Sequence, residues 1–276
     1  MCDLKGCGQA SSDRPLPAAS TLERRQFLKG MLALPLAVVL ADPVLAQVAG
    51  ARTHVQSLKL GSGREVKAHL ALPEDNGPAP AVILIHEWWG LNDSIKAVAN
   101  ELAEQGFMAL AVDLYHGGVA ETREQALSLK NAVDNTEALA TLVGWVQWLR
   151  RHERSNGRVG TLGWCFGGGW ALDVSLATPL DATLIYYGNV SRTSEQLAGL
   201  QSPVQGHFGT LDKSINAAMV GDFQRSMTEA GKADPEIHWY VADHAFANPT
   251  GARYDEEDAA LAWSRSLAFL QQHLQH

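Results

Sequence analysis

The chain is poor in cysteine. Its 276 residues hold three, Cys2, Cys7 and Cys165, and no two are spaced as C-x-x-C. No H-x-x-x-H pair occurs among the ten histidines. Zinc-finger spacings and disulfide scaffolds are thereby excluded, and no metal or cofactor is expected. Basic excess is lacking too. Lys and Arg number 22 against 30 Asp and Glu, a net charge of −8, so the electrostatic footprint of a nucleic-acid binder is absent. The apolar run "MLALPLAVVLA" (Met31–Ala41) is short of the ~20 residues a membrane span requires. Repeats, low-complexity tracts and a dividing linker are missing as well. The chain beyond residue 46 therefore reads as one domain.

The first 46 residues read as an address. Arg24 and Arg25 in "LERRQFLKG" precede the short apolar run, and Val44 and Ala46 stand at −3 and −1 of a small-residue exit. Arginine pair, apolar core and exit together look like a bacterial twin-arginine signal. This divides the chain into a signal, 1–46, and a domain, 47–276. It implies the twin-arginine export machinery as a partner, a periplasmic location and no stable membrane anchor after cleavage. A retained N-terminal anchor is the alternative. Cleavage would remove Cys2 and Cys7 and leave Cys165 alone in an oxidising compartment. A thiol without a disulfide partner is a liability there, which suggests that it has a use.

The remaining residues alternate between two periods. Strand-like runs are Thr53–Leu60, Arg64–Leu72, Ala81–His86, Phe107–Tyr115, Arg158–Trp164, Ala182–Gly188, Pro203–Gly209 and Glu236–Ala242. The first two alternate apolar with polar around "GSG", as an antiparallel hairpin at a sheet edge would. The third and fourth are almost continuously apolar, the signature of parallel strands buried on both faces. Helical periodicity covers Ser94–Gln105, Asn135–Arg151, Ile215–Ala230 and Asp255–Leu274. The alternation predicts an α/β domain, a mostly parallel sheet with helices on both faces. In such sheets functional residues gather beyond the carboxyl ends of the strands.

"RVGTLGWCFGGGWAL" runs from strand to sharp turn to helix. It offers a G-x-nucleophile-x-G elbow, with Cys165 as nucleophile between Gly163 and Gly167. Those glycines permit close approach of strand and helix. The helix start would favour a thiolate, and the Phe166 amide would face a developing oxyanion. Taken singly the string also serves packing. Two further residues, each just past a different strand, strengthen the functional reading. Asp212 follows in "HFGTLDKSI" and His244 in "WYVADHAFANP". The order Cys165, Asp212, His244 is the nucleophile, acid, base order of α/β-hydrolases. Asp212 could equally cap a helix beginning near Ser214. After the first buried strand, "VILIHEWWGLND" supplies Glu87 and, in the Trp88 amide, a second oxyanion donor.

The segments "HEWWGLND", "DLYHGG", "GWCFGGG", "GTLDKSI" and "ADHAFANP" resemble the dienelactone hydrolase family (carboxymethylenebutenolidase-like) along essentially the whole domain. The resemblance implies an α/β-hydrolase fold and a Cys165–Asp212–His244 triad. It also implies a contact between Glu87 and the resting thiol that helps generate the thiolate. Its substrate clamp of two arginines implies Arg123 at one position. The other position holds Asn248, an amide that donates hydrogen bonds without charge. Tyr187, Trp88 and Trp89 are candidate pocket walls. The expected activity is cleavage of a small-molecule ester or lactone through a thioester acyl-enzyme. Thioesterase activity on the same triad, or a non-catalytic periplasmic binding protein on a hydrolase scaffold, are the alternatives.

Overall fold

The computed structural model describes residues 36–275. The arginine pair of the expected signal and the apolar residues before Leu36 lie outside them. The described residues form one compact unit.

An eight-stranded sheet runs through this unit in the order β1-β2-β4-β3-β5-β6-β7-β8. Its strands are β1 (His54–Lys59), β2 (Glu65–Ala71), β3 (Ala79–Ile85), β4 (Met108–Val112), β5 (Ser155–Trp164), β6 (Ala182–Tyr186), β7 (Val204–Gly209) and β8 (Glu236–Tyr240). β1 and β2 form the expected antiparallel edge hairpin, and β2 also runs antiparallel to β4. From β4 onward every pairing is parallel. Every residue of β3 and β4 is buried, as their unbroken apolar runs require when helices cover both faces.

The helices are α1 (Leu36–Ala41), α2 (Pro43–Gly50), α3 (Asp93–Glu104), α4 (Arg123–Asn131), α5 (Asn135–Arg151), α6 (Phe166–Ala177), α7 (Ser194–Leu197), α8 (Ala217–Glu229) and α9 (Glu256–Leu274). Leu142, Trp145, Val146 and Leu149 of α5 pack with Trp170 and Val174 of α6 on Ile83, Ile85, Leu110 and Val112. Ile185 faces α8 on this same side, among Phe208, Val220 and Phe223. Its neighbour Tyr186 must point the other way, because strand side chains alternate. There its hydroxyl lies 2.6 Å from Ser266 Oγ of α9. Helices thus cover both faces. Each buried strand side chain of Leu or Ile size contributes about 1.5–3 kcal/mol relative to exposure.

α1 and α2 fall where the sequence predicts the end of a cleaved signal. Asp42 caps α2 through the Val44 amide at 2.8 Å. Asn100 of α3 donates to the Ala49 carbonyl at 2.6 Å, and Ala46 is buried. The expected boundary, Ala46–Gln47, therefore lies inside a helix docked on α3. Among the described residues no helix is long and apolar enough to cross a membrane.

Candidate active site

Cys165 sits between β5 and α6 with φ 53° and ψ −113°. L-residues rarely adopt this conformation, and it costs of order 1–3 kcal/mol. The turn is held by its surroundings. The Cys165 amide donates to the Tyr186 carbonyl at 2.9 Å, and the Gly168 amide donates to the Cys165 carbonyl at 3.1 Å. The flanking glycines are required sterically. A Cβ at Gly163 would meet the Gly167 carbonyl, and one at Gly167 would meet the Ile85 and His86 carbonyls. Strand, helix and the end of β3 therefore converge within backbone contact, and the thiol stands above the sheet's carboxyl edge.

His244 and Asp212 meet it there. His244 Nε2 lies 3.2 Å from Cys165 Sγ, and its Nδ1 lies 2.6 Å from Asp212 Oδ2. A carboxylate only accepts, so Nδ1 carries the hydrogen and Nε2 is left to exchange a proton with sulfur. Asp212 Oδ1 meanwhile accepts from the Ser214 amide at 2.7 Å and the Ile215 amide at 3.0 Å. The two readings of Asp212 are thus both present, one oxygen ordering the following loop and the other holding His244. Burial raises the Asp212 carboxyl, but the His244 and amide hydrogen bonds pull harder and leave it below its ordinary value. Burial likewise lowers the His244 imidazolium. Hydrogen bonding and charge from Asp212 and Cys165 outweigh this and push it up to about 10.

Phe166 is the first residue of α6, and its amide has no acceptor within the helix. Trp88 occupies the second position of a turn closed by the Gly90 amide on the Glu87 carbonyl at 3.2 Å, a position whose amide the turn does not use. His86, unread in the sequence, fixes this loop. Its Nδ1 donates to the Glu87 carbonyl at 2.6 Å, and its Nε2 accepts from the Leu114 amide at 3.2 Å. Burial lowers its pKa, consistent with the neutral form that donates at one nitrogen and accepts at the other. Its ring stacks on Phe166 at 5.9 Å between centroids, so the β3 loop and the elbow brace each other.

Glu87 makes no hydrogen bond to the sulfur. Tyr187 donates to its Oε1 at 3.1 Å and Asn248 to its Oε2 at 2.6 Å. A buried carboxyl needs such donors, and desolvation raises its pKa despite them. Asn248 is committed by the same contact. Its Oδ1 also accepts from the Thr250 amide and hydroxyl at 3.0 and 2.8 Å, so it holds Glu87 rather than standing free for a substrate carboxylate. Tyr187 is wholly buried, and its ring lies 5.2 Å from that of His244. Trp88 and Trp89 pack edge to face, 5.1 Å apart, and are half-buried. Arg123 makes no hydrogen bond or ion pair with these residues. The Thr122–Gln125 capping box sets it at the first position of α4, exposed to solvent. No group of three or more potential metal ligands occurs among the described residues.

A strand-to-helix elbow bearing a thiol, with a histidine and a carboxylate on later loops of this mostly parallel sheet, gives an α/β-hydrolase fold. The chain belongs to the dienelactone hydrolase family, which matches residues 66–274, and it is a hydrolase. It is 31% identical over 206 residues to a carboxymethylenebutenolidase of Pseudomonas putida, covering 70% of this chain and 86% of that protein. A candidate dienelactone hydrolase from Klebsiella pneumoniae subsp. pneumoniae, solved by crystallography, is 28% identical with a TM-score of 0.71, covering 80% of this chain and 99% of that one. A dienelactone hydrolase-like promiscuous phosphotriesterase from metagenomic libraries shares the fold at 21% identity, with a TM-score of 0.72 over 81% of this chain and 99% of its own.

Proposed function

We propose that the protein cleaves a carboxylic ester or lactone through a thioester on Cys165, with His244 and Asp212 completing the triad. The observation that carries this reading is the position of His244, 3.2 Å from the sulfur on one side and 2.6 Å from Asp212 on the other. The thiol proton goes to His244 Nε2 as Sγ bonds to the carbonyl carbon. The Phe166 and Trp88 amides hold the oxygen that becomes negative. Collapse breaks the carbon–oxygen bond, and His244 returns the proton to the leaving alkoxide. Acylation removes the hydrogen bond to sulfur that helps to raise the imidazolium. With its pKa lowered, more of His244 is neutral and free to take the proton of the water that hydrolyses the thioester. The family's contact between Glu87 and the thiol is not part of this reading, because the Glu87 oxygens bond Tyr187 and Asn248 and no hydrogen bond to the sulfur is present.

The test is intact-mass spectrometry after rapid mixing with a p-nitrophenyl ester. An acyl adduct should appear on the wild type and be missing from Cys165→Ala. Turnover by the Cys165→Ala protein at the wild-type rate would overturn the assignment.

Export is part of the same reading and rests on Arg24, Arg25 and Ala46. The periplasmic chain should begin at Gln47, and lysine at both arginine positions should block export. Because a peptidase takes its substrate extended, cleavage requires α2 to leave α3 first.

A further inference from the structure

A cavity of about 290 Å³ lies beside the triad, between α3 and α9. Its walls are Ile95 and Val98 of α3, Ala259 and Trp263 of α9, Trp164 at the end of β5, and Leu40 of α1. Its polar lining groups include Glu87, Tyr187 and Asn248, together with Asn92, Ser94 and Tyr254. Cys165 and His244 are not among the lining residues, but the cavity shares two walls with them. Trp164 directly precedes the nucleophile, and the Tyr187 ring packs against His244. The volume is about twice the ~150 Å³ of an apolar cavity that takes up benzene. It sits near the lower end of ligand pockets.

We propose that this cavity receives the apolar acyl substituent of the substrate, which makes the preferred substrates neutral esters or lactones with a medium-length hydrocarbon group. This rests on the ester-cleavage reading above. The leaving oxygen must lie beside His244, which protonates it. His244 is outside the cavity, so the cavity serves the opposite side of the carbonyl, the acyl side. No Lys or Arg lines it, and the single ionisable carboxyl there, Glu87, already holds both its donors. A carboxylate-bearing acyl group would be desolvated without a partner, whereas a hydrocarbon loses nothing. Cleavage after Ala46 would remove the α1 wall of Leu36, Ala37 and Leu40 and open the cavity on that side, leaving the walls from α3, α9 and β5.

The experiment is kcat/KM of the full chain for p-nitrophenyl esters from acetate to decanoate. It should rise about fourfold per methylene (~0.8 kcal/mol) until the cavity is full, then fall. Val98→Phe and Ala259→Phe put a ring into the space. Each should lose at least tenfold on the optimal ester while acetate stays within about twofold, which serves as the internal control for folding. A flat wild-type profile, or an unchanged ratio of optimal ester to acetate in both variants, overturns the proposal. A second readout is independent of hydrolysis. Iodobenzene, a neutral heavy-atom quencher, should saturably quench the indole fluorescence of the wild type, and much less that of the filled variants. Saturable quenching with no ester cleaved would sink the reaction assignment and keep the cavity as a binding site. Ester cleavage without saturable quenching, or with quenching equal in the filled variants, would do the reverse.

Discussion

Asp212→Asn separates the two jobs of one carboxylate. The amide keeps the shape of the side chain, so its oxygen can still accept from the Ser214 and Ile215 amides. The atom facing His244 becomes a donor. Nδ1 must then accept, the hydrogen moves to Nε2, and the imidazole can no longer take a proton from sulfur. The variant loses one hydrogen bond between charged groups, worth about 1.5–3 kcal/mol. At roughly 2–4 °C per kcal/mol for a chain of this size, the Tm should fall by about 3–12 °C. Turnover should fall much further, by roughly 10⁴, the loss that a wrong tautomer causes in comparable triads. Asp212→Ala removes the loop contacts too and should be less stable than Asp212→Asn, with a similar loss of kcat. Kinetics on a p-nitrophenyl ester and thermal unfolding of the three proteins provide the assay. Asp212→Asn retaining more than a tenth of wild-type kcat would refute the reasoning, whatever its Tm.

Further expectations follow from the same contacts. Cys165→Ala and His244→Ala should each cut kcat by at least 10³, and the double variant should be little worse than either, because the residues act as a unit; additive losses in kcat would contradict this. Glu87 has its pKa raised by burial, so the folded state binds its proton more tightly than the unfolded one. Stability therefore falls as pH rises through the unfolded value and up to the folded one. Glu87→Gln should be more stable than wild type at pH 7, with the gap closing below the ordinary carboxyl range near pH 4, as read by Tm across pH. Gly167→Ala places a methyl against the Ile85 and His86 carbonyls. It should destabilise by about 1–3 kcal/mol or more and lower kcat with it, since the same backbone carries the Phe166 amide; an unchanged Tm would show that the elbow can shift.

What could be read in advance follows the range of the interaction. Continuous apolar runs give away β3 and β4, because burial on both faces leaves no polar position. Glycine spacing marks the elbow, because close backbone approach acts within a few residues. The loop positions of Asp212 and His244 follow from strand ends, so the group around the sulfur is visible before any coordinate. Glu87 is different. Its partners Tyr187 and Asn248 lie 100 and 161 residues away, and no local pattern links a carboxyl to an amide so distant. His86 escapes notice for the same reason, since its acceptor role depends on Leu114, 28 residues on. For Arg123 the segment "ETREQ" carries two signals at once, a cation for a substrate and a capping box, and the structure shows the cap. The residues around Ala46 carry export features and helix-forming features together, and periodicity alone does not rank them.

The elbow's backbone angles have a consequence for how this enzyme can change. A glycine at position 165 would adopt φ 53° and ψ −113° without the Cβ clash, and the fold would gain stability as its chemistry disappeared. Selection for robustness alone thus pushes against the proposed nucleophile. Laboratory evolution that screens only for thermal tolerance should drift toward inert proteins at this one position, unless each round also demands turnover.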